Sequence, residues 1–342
     1  MTMKLILQKL TDRTELSQEE MTFAADSIFS EEITDSEIAA FLIALKSKGE
    51  SADEMASLVQ VLRKKALRIT RRFDDVMDNC GTGGDGSQSF NISTTSAFVI
   101  AGAGITIAKH GNRSVSSKTG SADVLEKLGV DLQAGPAEVE ELLIENGIAF
   151  LFAPHIHPKM ARIMKIRREL KIATVFNLIG PLTNPVDLTS QLLGVYRNDM
   201  LEPFSKVLHS LGRKRAVVVN GAGSMDEASL QGENNLILLD NGSIKSFTLH
   251  PEEVDLPVYD NEAIRGGDAL ENSQILLNVL KGQKGAYRDT VLLNAGLGIF
   301  ANGKAATIQE GIALAKESID SGKALNKLET LISYNRSKSG VI

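Results

Sequence analysis

The 342-residue chain contains a single cysteine, Cys80, so no intrachain disulfide can form, and a reducing cytoplasm is the expected setting. No segment approaches the roughly 18 consecutive apolar residues of a membrane span, and the opening run Met1 to Lys9 is too short in apolar residues for a secretion signal, so a soluble protein that is not exported is expected. Nor is there an excess of positive charge: 37 Lys and Arg against 43 Asp and Glu give a net charge of -6. That balance offers no general attraction to nucleic acid or to an anionic membrane, so any polyanion must be held at a local cationic site. No His/Cys/Asp spacing resembles a zinc site, and neither a Ser-His-Asp arrangement nor a nucleophile elbow is present. Internal repeats, low-complexity tracts and long linkers are also missing.

What is present begins with helices whose starts are written explicitly. Ser17 with Glu20, Thr34 with Glu37 and Ser51 with Glu54 each match a capping box, and Leu16/Met21 and Ile33/Ile38 match the accompanying hydrophobic staple. Ile38, Phe41, Leu42 and Leu45 share one helix face, and Met55, Leu58, Val59 and Leu62 another. So much apolar surface on so short a segment predicts packing on a larger domain or on a second copy of the chain.

From about residue 74, short β-rich runs alternate with helices, the pattern of a mostly parallel sheet with crossovers. Strands are predicted at Val76 to Asn79, Ile105 to Lys109, Ile148 to Phe152, Gln191 to Tyr196 and Ala216 to Asn220, and a hairpin at Leu236 to Thr248 turning on Asp240-Asn241-Gly242. Helices are predicted at Ser93 to Gly102, Ala122 to Leu128, Pro136 to Asn146 and Met200 to Leu211. The segment His157 to Leu170 reads as one further helix, and Asn177 to Pro185 as a proline-stiffened loop. The expected architecture is therefore α/β: a small N-terminal α-helical domain, residues 1–70, and a larger α/β domain, residues 71–342, with a mostly parallel central sheet flanked by helices. An inserted helical segment at about 155–185 is expected to join the small domain as a hinge.

The chemistry is concentrated after the strands. Gly81-Thr82-Gly83-Gly84-Asp85-Gly86 is rich enough in glycine for backbone N–H groups to turn toward a bulky anion, and Asn91-Ile92-Ser93-Thr94 follows where a helix begins with unpaired N–H groups. Lys109-His110-Gly111-Asn112-Arg113-Ser114-Val115-Ser116-Ser117 places two cations, an amide and three hydroxyls at the carboxyl end of a predicted strand, where parallel sheets present ligands; a solvated polar loop would read the same in isolation. Ser121 adds a hydroxyl at a helix start. The adjacent carboxylates Asp226 and Glu227 suit Mg²⁺ held by few protein oxygens and by ligand phosphates, or simply an acidic helix start. Arg167, near the end of the inserted helix, could bind a carboxylate through its forked guanidinium. Cys80 fits a buried small residue beside the glycine turn better than a nucleophile.

Taken together, Gly81-Thr-Gly-Gly-Asp85, Asn91-Ile-Ser-Thr94, Lys109-His-Gly-Asn-Arg113, Gly120-Ser-Ala-Asp123, Asn177 to Pro185 and Asp226-Glu227 closely resemble the anthranilate phosphoribosyltransferase family, over essentially the whole chain and in the family's order. The resemblance implies transfer of phosphoribose from phosphoribosyl pyrophosphate to the amine of anthranilate in tryptophan biosynthesis. By matching positions it implies that Gly81, Gly84, Asp85, Ser89, Asn91, Ile92, Ser93, Thr94, Lys109 to Ser117 and Ser121 contact phosphoribosyl pyrophosphate. Gly81, Asn112, His157 and Arg167 would meet anthranilate, and Ser93, Asp226 and Glu227 would serve Mg²⁺, with two ions per subunit. Lys109, Asp85 and Asn112 form the implied catalytic set. Ser89 and Ser121 stand where many relatives have threonine and alanine, and both changes keep or add a hydroxyl. The expected partners are the two small substrates and a second copy of the chain through the helical domain, with neither nucleic acid nor membrane. A pyrimidine nucleoside phosphorylase shares the glycine-rich phosphate loop but should lack the Lys109 to Arg113 and Asn177 to Pro185 motifs. A silent nucleic-acid-binding relative should be basic, and a scaffold protein would have only the apolar N-terminal helices in its favour.

Overall fold

Three capping boxes set the first helices. In a computed structural model that describes residues 1–114 and 118–338, the side chains of Ser17, Thr34 and Ser51 accept from the N–H of Glu20, Glu37 and Glu54, and those glutamates reach back to the cap N–H groups. The helices so started are α2 (Gln18–Ser27), α3 (Asp35–Lys48) and α4 (Ala52–Lys65), preceded by α1 (Met3–Thr11). Glu54 is buried, pairs with Lys48 at 2.7 Å and also accepts the Leu16 N–H, so one carboxylate caps a helix and ties down the preceding loop.

The chain then alternates through β1 (Met77–Gly81), α5 (Ile92–Gly102), β2 (Ile107–Gly111), α6 (Ser121–Lys127), α7 (Pro136–Glu145) and β3 (Ile148–Phe152). It continues with α8 (Ala153–Ile156), α9 (Ala161–Leu170), β4 (Ser190–Gly194), α10 (Leu201–Ser210) and β5 (Arg215–Asn220). A hairpin, β6 (Asn234–Asp240) and β7 (Ser243–Leu249), precedes the closing helices α11 (Ala269–Leu280), α12 (Ala286–Asn302), α13 (Ile308–Asp320) and α14 (Lys323–Lys338). The seven strands form one sheet in the order β3-β2-β1-β4-β5-β6-β7, parallel through β5 and antiparallel for the last two. The hairpin turns at Asn241 and Gly242, both at positive φ, as its sequence demands.

Side-chain alternation along the strands divides the interior in two. Leu192, Val217, Val219 and Leu236 face a core built with α5 and α12, while Leu193, Ala216, Val218 and Ile237 face a second core that contains α10 and the N-terminal helices. Ile163, Ile166, Val175, Phe176 and Ile179 belong to that second core, and α3 packs on α9. Arg162 of α9 reinforces the contact, donating to Asp35 Oδ1 at 2.7 Å and to the carbonyls of Ser30 and Ile33. The helix predicted from His157 to Leu170 is broken: Pro158–Met160 forms a single 3₁₀ turn, and the α-helix starts only at Ala161. Among the described residues no helix is long and apolar enough to cross a membrane.

Candidate active site

The site lies at the carboxyl ends of four neighbouring parallel strands. β1 leads into the glycine loop, where Gly83, Gly84 and Gly86 all have positive φ, between 69° and 82°, as does Gln88 at 55°. That conformation favours glycine for steric reasons, and Gln88 adopts it as one of the few residues with a side chain that do. Gly81 is needed for another reason: a Cβ there would stand 2.1 Å from Asp226 Oδ2. Asp226 and Glu227 follow β5 on a short strap closed by paired hydrogen bonds between Gly221 and Met225, with Ser224 at φ 61°. No helix starts there, so the pair is not an acidic helix beginning. Cβ atoms at Gly194, ending β4, and at Gly221 would likewise collide with the backbone of Asp226 and Glu227. Three glycines thus let two carboxylates settle onto the sheet's edge, and neither Gly194 nor Gly221 carries a sequence signal beyond being a glycine after a strand.

Asp226 Oδ2 accepts from the Gly83 N–H at 2.6 Å, and the Asp226 N–H faces Asp85 Oδ2 at 3.4 Å. Glu227 accepts from both the backbone and the hydroxyl of Ser93, the second residue of α5. These carboxylates therefore occupy N–H groups suited to an anion. Burial, together with the charges of Asp85 and of one another, pushes both carboxyls above the usual range, while Lys109 opposes the shift at Glu227. Crowded carboxylates of this kind fit a divalent cation. No group of three or more His, Cys, Asp or Glu side chains placed to hold a metal occurs among the described residues, so any ion must complete its shell with ligand oxygens and water.

Lys109 lies in the middle of β2 rather than at its end, because the strand runs two residues further than the predicted Ile105 to Lys109. Its buried Nζ donates to the Asn79 carbonyl at 2.6 Å and to Ser93 Oγ at 3.5 Å, which sets the ammonium between the glycine loop and the start of α5. His110 points the other way: its N–H donates to Asp78 Oδ1, and its ring stands 5.4 Å from that of His157 in an edge-to-face pair. The His110 ring donates to the Gly180 carbonyl and His157 to that of Thr183, and both Nε2 atoms are buried with no partner among the described residues. Burial lowers the pKa of His110 to about 3 and of His157 to about 4, so both imidazoles are neutral. Cys80 is half-buried; burial and Asp78 raise its pKa, so the thiol stays protonated.

Arg167 donates to Asn177 Oδ1 at 3.0 Å and stacks on Phe176, but among the described residues its buried Nε has no partner and its guanidinium no carboxylate. A half-buried guanidinium without a carboxylate is equipped to receive one. Asn112 is exposed, its N–H donating to Ser121 Oγ at 3.1 Å. Arg113 is turned outward, where it pairs with Asp123 at 2.7 Å and Glu126 at 2.8 Å, and Ser114 donates its N–H to Asp123. Ile92 buries its side chain, and its N–H is taken by the Phe90 carbonyl, so a ligand contact there would need that bond released. Thr94 is buried one turn into α5, and Ser89 bridges to Arg265. Val115, Ser116 and Ser117 lie outside the described residues.

Beneath the site runs a buried polar network that sequence patterns did not reveal. Asp78 accepts from Asn184 Nδ2 at 3.0 Å, Asn184 also donates to the Ala108 carbonyl at 2.7 Å, and Gln191 donates to the Pro181 carbonyl at 2.7 Å. These bonds fasten the Asn177 to Pro185 loop to β1, β2 and β4. Burial raises the Asp78 carboxyl against the opposing pull of Lys109 and Asn184.

Known proteins with this arrangement share much of the sequence. The family model for the helical bundle domain of a glycosyl transferase family matches residues 4–66, and that for its a/b domain matches residues 73–325. Anthranilate phosphoribosyltransferase of Exiguobacterium sibiricum is 62% identical over 329 residues, 96% of this chain and 97% of that protein. Its Bacillus cereus counterpart is 59% identical over 97% of each. The crystal structure of the Thermus thermophilus enzyme superposes with a TM-score of 0.91 at 40% identity, covering 96% of this chain and 99% of that one. The Saccharomyces cerevisiae enzyme, described in complex with PRPP and Mg, superposes at 0.90 with 28% identity over 98% of each chain. By sequence over nearly its full length, and by a fold that places the glycine loop, the lysine strand and the carboxylate strap at one sheet edge, the chain belongs to the anthranilate phosphoribosyltransferases, enzymes of the glycosyl transferase family.

Proposed function

We propose that this protein transfers the phosphoribosyl group of 5-phosphoribosyl 1-pyrophosphate to the amine of anthranilate, giving N-(5-phosphoribosyl)anthranilate and pyrophosphate. One observation carries the reading: Lys109, Ser93, the glycine loop and the Asp226-Glu227 strap converge at the ends of adjacent strands, while Arg167 and two neutral histidines line the neighbouring Asn177 to Pro185 loop. The first group suits a pyrophosphate with its counter-ion, and the second a flat aromatic carboxylate.

In this reading the bond from ribose C1 to the pyrophosphate oxygen breaks, the amine nitrogen bonds to C1, and its proton leaves to solvent, with no covalent enzyme intermediate. The leaving group gains negative charge, which Lys109 Nζ and the loop N–H groups are placed to offset; one such donor is worth on the order of 3 kcal/mol of barrier. Asp226, Glu227 and Ser93 would hold Mg²⁺, with two ions per subunit as the stoichiometry to test; when bound, the metal neutralises pyrophosphate charge. Asp85, beside Asp226, orders the glycine loop by accepting the Ser87 N–H at 3.1 Å. Anthranilate's amine is largely unprotonated at neutral pH and needs no strong base, and Asn112 and Arg167 supply orientation. The Saccharomyces cerevisiae enzyme, known in complexes with PRPP and Mg and with 4-fluoroanthranilate, supports the same assignment.

The chain's division at about residue 70, its homodimeric state and its cytoplasmic setting belong to the same proposal. Leu5 of α1 and the preceding Met1 are exposed beside an open groove of about 470 Å³, and this is the surface proposed for the second copy. Mixing the protein with anthranilate, phosphoribosyl pyrophosphate and Mg²⁺ should quench anthranilate fluorescence; persistent fluorescence with active substrates overturns the proposed function.

A further inference from the structure

Asn91 precedes α5, a position where asparagine ordinarily accepts from an N–H of the first turn, yet it makes no capping bond. Its side chain is engaged elsewhere, in a closed ring of hydrogen bonds. The Gly267 N–H donates to Asn272 Oδ1 at 2.8 Å, Asn272 Nδ2 donates to Asn91 Oδ1 at 2.9 Å, and Asn91 Nδ2 reaches the Thr119 carbonyl at 3.4 Å. Thr119 Oγ1 then donates to the Gly267 carbonyl at 2.9 Å, closing the ring. Asn272 and Thr119 are both buried.

The ring has a fixed polarity. A backbone N–H can only donate and a backbone carbonyl can only accept, so Gly267 and Thr119 dictate which way each carboxamide faces. Asn272 must turn its oxygen to Gly267 and its NH₂ to Asn91. Asn91 must then give its oxygen to Asn272 and turn its own NH₂ toward the segment leading to Gly120 and Ser121. That segment returns from the loop after β2 to the start of α6. An anion between α5 and this loop needs a donor there, and a carboxamide oxygen would repel it. The segment before Gly267 packs closely on this ring: a Cβ at Gly266 would stand 2.7 Å from Asn272 Oδ1 and 2.8 Å from the Phe90 Cα.

Resting on the proposed function, we infer that Asn272 is a positioning residue for the phosphoribosyl pyrophosphate site: it fixes the donor face of Asn91 and keeps that side chain from capping α5. It touches neither substrate.

Asn272→Asp retains the shape but replaces the donor to Asn91 with an acceptor, so the Asn91 amide must turn over and present its oxygen. The expected result is a rise of about tenfold or more in KM for phosphoribosyl pyrophosphate and in the Kd of Mg²⁺-pyrophosphate measured by calorimetry, with KM for anthranilate changed by less than about twofold. Thr119→Val removes one bond from the ring at nearly constant volume and should raise the same two constants about threefold, whatever the folding of the first variant. Unchanged constants in either folded variant, or equal rises for both substrates, would overturn the inference. Failure of the unsubstituted protein to bind Mg²⁺-pyrophosphate would instead count against the proposed function.

Discussion

A side-chain carbon at Gly194 would lie 1.6 Å from the carbonyl oxygen of Asp226, closer than any non-bonded approach permits. The carboxylate strap is therefore seated on the absence of a side chain at the end of the sheet's central strand. Gly194→Ala must push the strap outward, and the Asp226 and Glu227 carboxylates with it. We expect half-saturation by Mg²⁺ to rise about tenfold or more, a loss of about 1.4 kcal/mol, in a protein that still folds. A magnesium titration of the steady-state rate measures this, and an unaltered half-saturation point refutes it.

Arg167→Ala should raise KM for anthranilate by about one to two orders of magnitude while KM for phosphoribosyl pyrophosphate stays within about twofold, because the lost fork has no ionic partner among the described residues. Asp226→Ala combined with Glu227→Ala should leave anthranilate KM alone and depress Mg²⁺-dependent turnover. Steady-state kinetics on the two variants separates the roles; an unchanged anthranilate KM in the first removes Arg167 from the substrate site.

Replacing Lys109 with Met keeps most of the stem's packing and removes the ammonium between Asn79 and Ser93. The barrier should rise by roughly 3 kcal/mol, about a hundredfold in kcat. Single-turnover rates at saturating substrate test this directly, and a loss confined to KM would show that the ammonium serves binding alone.

The paired histidines make stability depend on pH with a definite sign. Folded His110 and His157 titrate near 3 and 4, against 6.5 for the unperturbed group, so below pH 6.5 the unfolded chain binds protons that the folded chain refuses. Stability rises with pH across that window and is lost as pH falls through it, by about 1.6 kcal/mol per imidazole between pH 6.5 and 5. Asp226 and Glu227 act oppositely: their raised folded pKa values give stability at low pH that is lost as pH rises. His157→Gln cancels one imidazole and leaves the carboxylates alone. Denaturation free energies at pH 6.5 and 5 should therefore differ by about 1.6 kcal/mol less in the variant than in the parent. Equal losses would mean that the folded protein already carries a protonated His157.

Local signals in the sequence carried far. Capping boxes at Ser17, Thr34 and Ser51, the Asn241-Gly242 turn and the glycine loop each have a mechanism confined to a few neighbours, and the structure reproduces them. Strand limits were less legible: β1 and β2 run on to Gly81 and Gly111 because pairing with neighbouring strands holds residues whose own propensity is poor. What could not be read were meetings between distant segments. Gly194 beneath Asp226, Asn184 beside Asp78 and Asn272 against Asn91 involve separations of 32, 106 and 181 residues, and each is ordinary in its own stretch of chain. Arg113, of the Lys109 to Arg113 motif, pairs with Asp123 and Glu126 of α6, contacts that its own stretch of chain does not announce.

Because α4 rests on α10 and α10 in turn covers β5 and β6, the amino-terminal helices double as a roof tile for the sheet that bears the proposed catalytic groups. Trimming the chain before β1 would not liberate a minimal catalyst. It would strip a greasy flank bare and invite precipitation, so any economy in engineering this protein must begin elsewhere.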